Sequence, residues 1–219
     1  MPTTTPLEAV TPAARCPGAE RILAAARTLF AQRGLSGVSI QQIADAAEVS
    51  KANVFHHFAT KQALYRAVLE EAAEEFRQLL ATLSSQTTAS GLSEFSLRHL
   101  IQLLQDPGTT WLFLRALSDP QPTTQRRLAE EIASEVMMAV ISAIDELRNA
   151  HVVPRQSETT TLAMTLLGAN LFYFQLHNIL PKLGDHPALR TPQAFTRSVT
   201  QLLVGAAHPD SAPLKKAKP

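Results

Sequence analysis

The sequence predicts an all-α fold, with a small three-helix head of about 60 residues followed by a larger helical body. Two observations predict it. Apolar residues recur at helical spacing through most of the chain, and no stretch alternates as a half-buried strand would. Of the 219 residues 45 % are apolar, enough to bury a sizeable core.

The first helix is expected near Ala19–Gln32, where Ile22, Leu23, Ala26, Leu29 and Phe30 make one apolar face. Gly34 stops it. Ser39 caps a short second helix, Ile40–Ala47, and Gln42 completes a capping box. Ser50 caps a third, Lys51–His57, with Val54 and Phe58 inward. A longer helix follows Thr60, turning Leu64, Val68, Ala72, Phe76 and Leu80 to the core. Further helices are expected near Leu92–Gln105, Thr109–Leu117, Pro122–Asn149, Ser157–Leu180 and Thr191–Ala206, separated by Asp-Pro and Gly-Asp breaks. Residues 1–18 and 208–219 lack periodicity and read as a flexible leader and a flexible tail.

Net charge is +1, so the chain as a whole is no general polyanion binder. The charge is unevenly placed. Residues 1–66 hold Arg15, Arg21, Arg27, Arg33, Lys51, Lys61 and Arg66 against Glu8, Glu20, Asp45 and Glu48, and Glu70, Glu71, Glu74 and Glu75 follow. A basic first third on a neutral protein suits local phosphate contact. The lone cysteine, Cys16, rules out an internal disulfide and fits a reducing, cytoplasmic location. The apolar stretch Leu162–Leu180 contains Thr165, Asn170, Gln175, His177 and Asn178, which are costly in lipid, so it reads as a buried helix and not a membrane span.

The segment Val38–Phe58 has the mechanics of a helix-turn-helix. Two short capped helices are joined by Glu48-Val49-Ser50, Val49 points inward, and Ala44 and Ala47 let the helices cross closely. The second helix is too short to stand alone, so the first and fourth must brace it. Its outer face, Lys51, Ala52, Asn53, Phe55 and His56, is left free at a size that fits the major groove.

The runs ERILAAARTLFAQRG, SIQQIADAAEVSKANVFHHF and TKQALYRAVLEE together resemble the N-terminal domain of the TetR (tetracycline-repressor) family, over about Glu20–Glu71. The resemblance implies a helix-turn-helix DNA-binding domain at 19–65, then a ligand-binding and dimerisation domain at 66–207. It implies base contacts from Lys51, Ala52 and His56, and phosphate contacts from Ser39, Ser50, Asn53, His57 and Lys61. Two positions depart from the family. Glu48 stands where glycine is usual, which implies a non-glycine residue at positive φ, at a cost of about 1 kcal/mol. Phe55 stands where tyrosine is usual, which removes a hydroxyl for phosphate.

In the body, Ser157–Leu180 is apolar nearly all round, more than one buried face requires. A second copy is the economical partner. Leu167 and Leu171, with Phe195, Val199 and Leu202 of the last helix, are the expected interface of an intersubunit four-helix bundle. A homodimer would present two heads to a palindromic, double-stranded operator. Expected pocket residues are His99, Trp111, Phe113, Met137, Asn170, Tyr173, Phe174 and His177, for a small, mostly apolar effector that releases DNA. No metal or cofactor is expected. His99, Asp119, Ser157 and His177 form no nucleophile motif, and no phosphate loop or metal pattern occurs, so the chain reads as no enzyme. The alternative is a DNA-binding regulator whose body docks a protein partner and takes no small molecule.

Overall fold

The computed structural model describes residues 17–205, which are helical with no strand among them. The elements are α1 (Pro17–Arg33), α2 (Ile40–Ala46), α3 (Lys51–His57), α4 (Lys61–Ser84), α5 (Ala89–Gln105), α6 (Pro107–Leu117), α7 (Thr124–Asn149), α8 (Thr159–Leu176) and α9 (Pro192–Val204). Short 3₁₀ turns, Leu180–Lys182 and Pro187–Leu189, lie between α8 and α9. Cys16 and the expected tail at 208–219 lie outside the described residues.

Local chemistry sets most boundaries. Pro17 opens α1, so the last two residues of the expected leader are helical. The Thr88 hydroxyl accepts from Gly91 N and starts α5 three residues before Leu92. Asp106 caps α6 by accepting from Thr109 N at 3.1 Å, with Pro107 in the first helical position. The α8 helix ends at Leu176, short of the expected Leu180, because Pro181 cannot donate into a continuing helix. His177 Nδ1 donates to the Phe174 carbonyl at 2.5 Å and satisfies part of that end. Gly205, at φ 70°, closes α9.

One core runs through the head and beyond it. Ile22, Leu23, Ala26 and Phe30 of α1 meet Ile43 and Ala44 of α2, Val54 of α3, and Leu64, Tyr65 and Val68 of α4. The Phe30 and Tyr65 rings meet edge-on, with centroids 5.3 Å apart. Leu112 of α6 and Leu128 and Ile132 of α7 belong to the same cluster. The line between residues 65 and 66 therefore falls inside α4, and the head shares its core with the body. A second core joins the far half of α4 to α5, α7, α8 and α9 through Leu80, Leu92, Phe95, Val140, Leu166 and Leu203. A smaller one gathers Leu100, Tyr173, Phe174 and Leu180. Among the described residues no helix is long and apolar enough to cross a membrane.

Candidate nucleic-acid interface and ligand cavity

Both short helices are fixed at their starts. Ser39 Oγ accepts from Gln42 N at 3.2 Å while Ser39 N donates to Gln42 Oε1 at 2.8 Å. That reciprocal pair is the expected capping box. Ser50 Oγ accepts from Asn53 N at 3.1 Å and caps α3. Between them Val49 N donates to Ala44 O at 3.0 Å, and Glu48 sits at φ 55°. The left-handed backbone anticipated at Glu48 is present, with a Cβ where glycine would be free of strain.

Val54, fully buried, anchors α3 to the core. Around it Lys51, Ala52, Asn53, Phe55 and His56 are exposed, and His57 is half-buried. The predicted base-reading residues therefore share one solvent face, bordered by the exposed hydroxyls of Ser39 and Ser50. Each hydroxyl spends its oxygen on a cap and keeps its O–H to donate outward. Lys61 is placed differently from its sequence reading. Its Nζ donates to the carbonyls of Leu35 and Val38, each at 2.9 Å, which leaves one of three N–H donors for a phosphate. The His56 and His57 rings meet edge-on at 5.1 Å. Among the described residues no group of three side chains is placed to hold a metal ion.

The body holds a partly open cavity of about 430 Å³ between α4, α5, α6, α7 and α8. Its walls are mostly apolar: Leu69, Ala72 and Phe76 of α4, Phe113 and Leu117 of α6, Val136 and Met137 of α7, and Leu167 and Leu171 of α8. That volume is in the range of sites for small molecules. Of the expected pocket residues, His99, Phe113 and Met137 line it. Asn170, Tyr173, Phe174, His177 and Trp111 do not. The reason is the face of α8 they occupy. Met164, Leu167, Gly168 and Leu171 recur at i, i+3, i+4 and i+7 and face the cavity, whereas Asn170, Tyr173 and Phe174 turn to α5 and the smaller core. Trp111 is 47 % exposed and packs on Phe174, whose ring in turn stacks with His177. Tyr173 packs on Phe195 at 4.7 Å.

Asn170 acts behind the cavity wall. Fully buried, it donates from Nδ2 to Ser96 O at 2.9 Å and to His99 Nδ1 at 3.2 Å, and it accepts from Ser96 Oγ. His99 thus carries its proton on Nε2. Burial holds its imidazole pKa down to about 4, so the ring lines the cavity as a neutral donor.

The residues expected at a dimer interface divide. Leu202 is 82 % exposed on α9, but Val199 is buried in the chain's own core, Phe195 packs on Tyr173, and Leu167 and Leu171 line the cavity. The apolar side chains that α8 and the segment after it leave in solvent are Met164, Phe172, Ile179 and Leu183.

Sequence reading missed a polar cluster on the cavity wall nearest the head. Arg27 of α1 donates from Nη2 to Glu71 Oε2 at 2.6 Å and Glu75 Oε1 at 3.3 Å, and from Nη1 to Asp106 Oδ2 at 3.0 Å. Gln102 donates to the other oxygen of Glu75 at 3.2 Å. Glu75, Gln102, Asp106 and Thr109 all line the cavity. The available signal was positional. Arg27 lies four residues after Leu23 and three before Phe30, on the flank of the apolar stripe, where a carboxylate from another helix must meet it.

Comparisons agree with this geometry. Residues 22–68 match the family model described as "Bacterial regulatory proteins, tetR family". The HTH-type transcriptional repressor KstR2 of Rhodococcus jostii (strain RHA1) is 34 % identical over 76 residues, which is 32 % of this chain and 37 % of that protein. The chain therefore matches less than two fifths of that relative's length. Among solved structures, the fatty acid degradation regulator FadR from Bacillus halodurans superposes with a TM-score of 0.69 at 18 % identity, covering 90 % of this chain and 99 % of that one. AibR, solved in complex with isovaleryl coenzyme A and operator DNA, gives 0.62 at 17 % identity over 85 % and 98 %. At such identities the structures speak for the fold alone. Residues 22–68 thus match the helix-turn-helix of the tetR family of bacterial regulatory proteins, and the all-helical body shares the fold of the solved regulators.

Proposed function

We propose that this regulator is a repressor that binds a palindromic operator as a dimer and is released when a small, mostly apolar molecule enters the cavity. The observation that carries the reading is α3, whose Lys51, Ala52, Asn53, Phe55 and His56 stand in solvent around a buried Val54. Lys51 donates to guanine O6 and N7, the Ala52 methyl meets a thymine methyl, and His56 donates or accepts one turn later. Ser39, Ser50, Asn53, His57 and the remaining N–H of Lys61 hold phosphates. The relatives support the sense and the sensing. KstR2 is called a repressor, and AibR was solved with an acyl-coenzyme A and operator DNA.

A second copy is the economical cover for Phe172, Ile179 and Leu202, which a monomer leaves in water. It sets two recognition helices about one helical turn of DNA apart or a little more. The chain acts in the cytoplasm, where its DNA is. The volume and mostly apolar lining of the cavity favour a small-molecule effector over a body that only docks another protein.

The test begins with fragments selected from random DNA by the purified protein. Lys51→Ala is expected to weaken the selected operator by about 1–3 kcal/mol and random DNA far less. Equal losses on both in a gel-shift titration mean that Lys51 reads no base. Sedimentation equilibrium at micromolar protein is expected to give a dimer, and Leu202→Glu a monomer.

A further inference from the structure

The apolar cavity has one polar wall, and that wall is acidic. Glu75 and Asp106 line it, no lysine or arginine does among the described residues, and Arg27 reaches it only as the partner of those two carboxylates. The guanidinium is divided three ways, with its shortest bond to Glu71 on the side away from the cavity lining. Beside Asp106 lies Thr109, 6 % exposed, whose Oγ1 has no hydrogen-bond partner. A buried hydroxyl without a partner is uncommon, because leaving it unpaired costs about 1–3 kcal/mol. Here it lies in the lining of a cavity large enough to admit a ligand.

We propose that the cavity takes a molecule with an apolar body and a single protonated amine, and that the ammonium replaces Arg27 at Glu75 and Asp106. This deepens, and rests on, the reading of the cavity as the effector site. An alkylammonium brings three N–H donors, and the wall offers it the Glu75 and Asp106 carboxylates, with the buried, unpartnered Thr109 Oγ1 in the same wall. A carboxylate or phosphate head would instead face two negative groups at the partly solvated wall and be repelled. A neutral head would leave the Arg27 pairs intact. The exchange keeps charge balanced, since one cation takes the place of another and Arg27 stays on Glu71.

The exchange also has a mechanical result. Arg27 is the ionic tie between α1 of the head and Asp106, the residue that caps α6. Losing it removes the ionic part of the contact between α1 and the α5–α6 junction while the Glu71 link to α4 and the apolar packing on Leu112 persist, so α1 can shift slightly against α6. An operator of fixed spacing then binds less well.

The experiment uses four compounds with one octyl body: octylamine, octanol, octanoate and octanoyl-coenzyme A. Each is added to full-length protein alone, to read melting temperature, and to the protein–operator complex, to read release. Octylamine is expected to raise the melting temperature of free protein and to weaken operator affinity at least tenfold at saturation, with the other three weaker by at least tenfold in concentration. Glu75→Gln and Asp106→Asn, the second of which keeps a competent helix cap, are expected to lose tenfold or more in octylamine affinity. Arg27→Met is expected to bind octylamine at least as tightly as the parent and to hold the operator weakly with or without it. If octanol, octanoate or the thioester matches octylamine, the amine proposal is overturned and the cavity stands as the effector site. If none of the four changes melting or release, the effector reading falls with it. Operator binding without any compound, measured first, decides the DNA reading separately. Should Arg27→Met melt far below the parent, the two carboxamide variants alone decide: unchanged octylamine affinity in both overturns the proposal.

Discussion

The helices α3 and α8 bury their residues in opposite proportions. In α3, Val54 is buried and most of its neighbours face solvent, the face proposed to meet DNA. In α8 the buried residues include Leu162, Ala163, Leu166, Asn170 and Phe174, and the work is done inside the body. The head is built from interactions between residues three or four apart, caps and turns that a sequence states locally. The cavity is assembled from side chains brought together over dozens of residues by packing. Yet the two regions are not separate bodies, because Leu112, Leu128 and Ile132 complete the head's own core.

That shared core makes the largest prediction. Phe30→Ala is expected to cost about 3–5 kcal/mol, since it empties a fully buried aromatic site against Tyr65. Because the site is continuous with α6 and α7, calorimetry is expected to show one transition, shifted down as a whole. Two transitions, with only the lower one moved, would mean that head and body unfold independently.

Next in size is a pH effect confined to the body. In the folded chain His99 stays neutral down to about pH 4, while the unfolded chain takes up that proton near 6.5. Between those values the unfolded state binds more protons, so stability falls as pH drops from about 6.5 towards 4. The loss is on the order of 3 kcal/mol. His99→Gln keeps an acceptor for Asn170 and removes the titration. Urea midpoints at pH 7 and 4.5 are expected to lie closer together in the variant than in the parent. An unchanged gap would show that other groups set the acid limit.

The smallest effect belongs to the head. Glu48→Gly relieves a side chain at φ 55° and is expected to add roughly 1 kcal/mol, a rise of about 2–4 °C in melting temperature, with operator affinity unmoved. A fall in melting temperature would mean that the Glu48 side chain contributes more than its backbone costs.

The same contrast explains what could be read without a structure. The bounds of α3, both serine caps and the backbone at Glu48 were legible, because each depends on neighbours within a few residues. The all-helical class followed from periodicity. In the cavity, His99, Phe113 and Met137 were foreseen because aromatic, histidine and methionine side chains on separate helices tend to meet inside. Asn170 and His177 were misplaced because α8 is apolar on nearly every side, so its sequence does not say which face turns to the cavity. Glu75 and Asp106 were invisible for another reason. Each looks like an ordinary surface acid until Arg27, from a helix that pairs with them only in three dimensions, shows where they point.

Lys61 ties the first residue of α4 to the carbonyls of Leu35 and Val38, in the strand of chain that leads into Ser39 and α2. The helix is thereby pinned at one end to the DNA-facing unit and borders the cavity farther along, at Glu75. Fourteen residues separate these points, a rigid arm of about 21 Å at helical rise, so a tilt of about 5° at the cavity displaces the pinned end by about 2 Å. In the proposed dimer, such leverage means that a guest molecule need only nudge one rod for both heads to lose step with the grooves they would match.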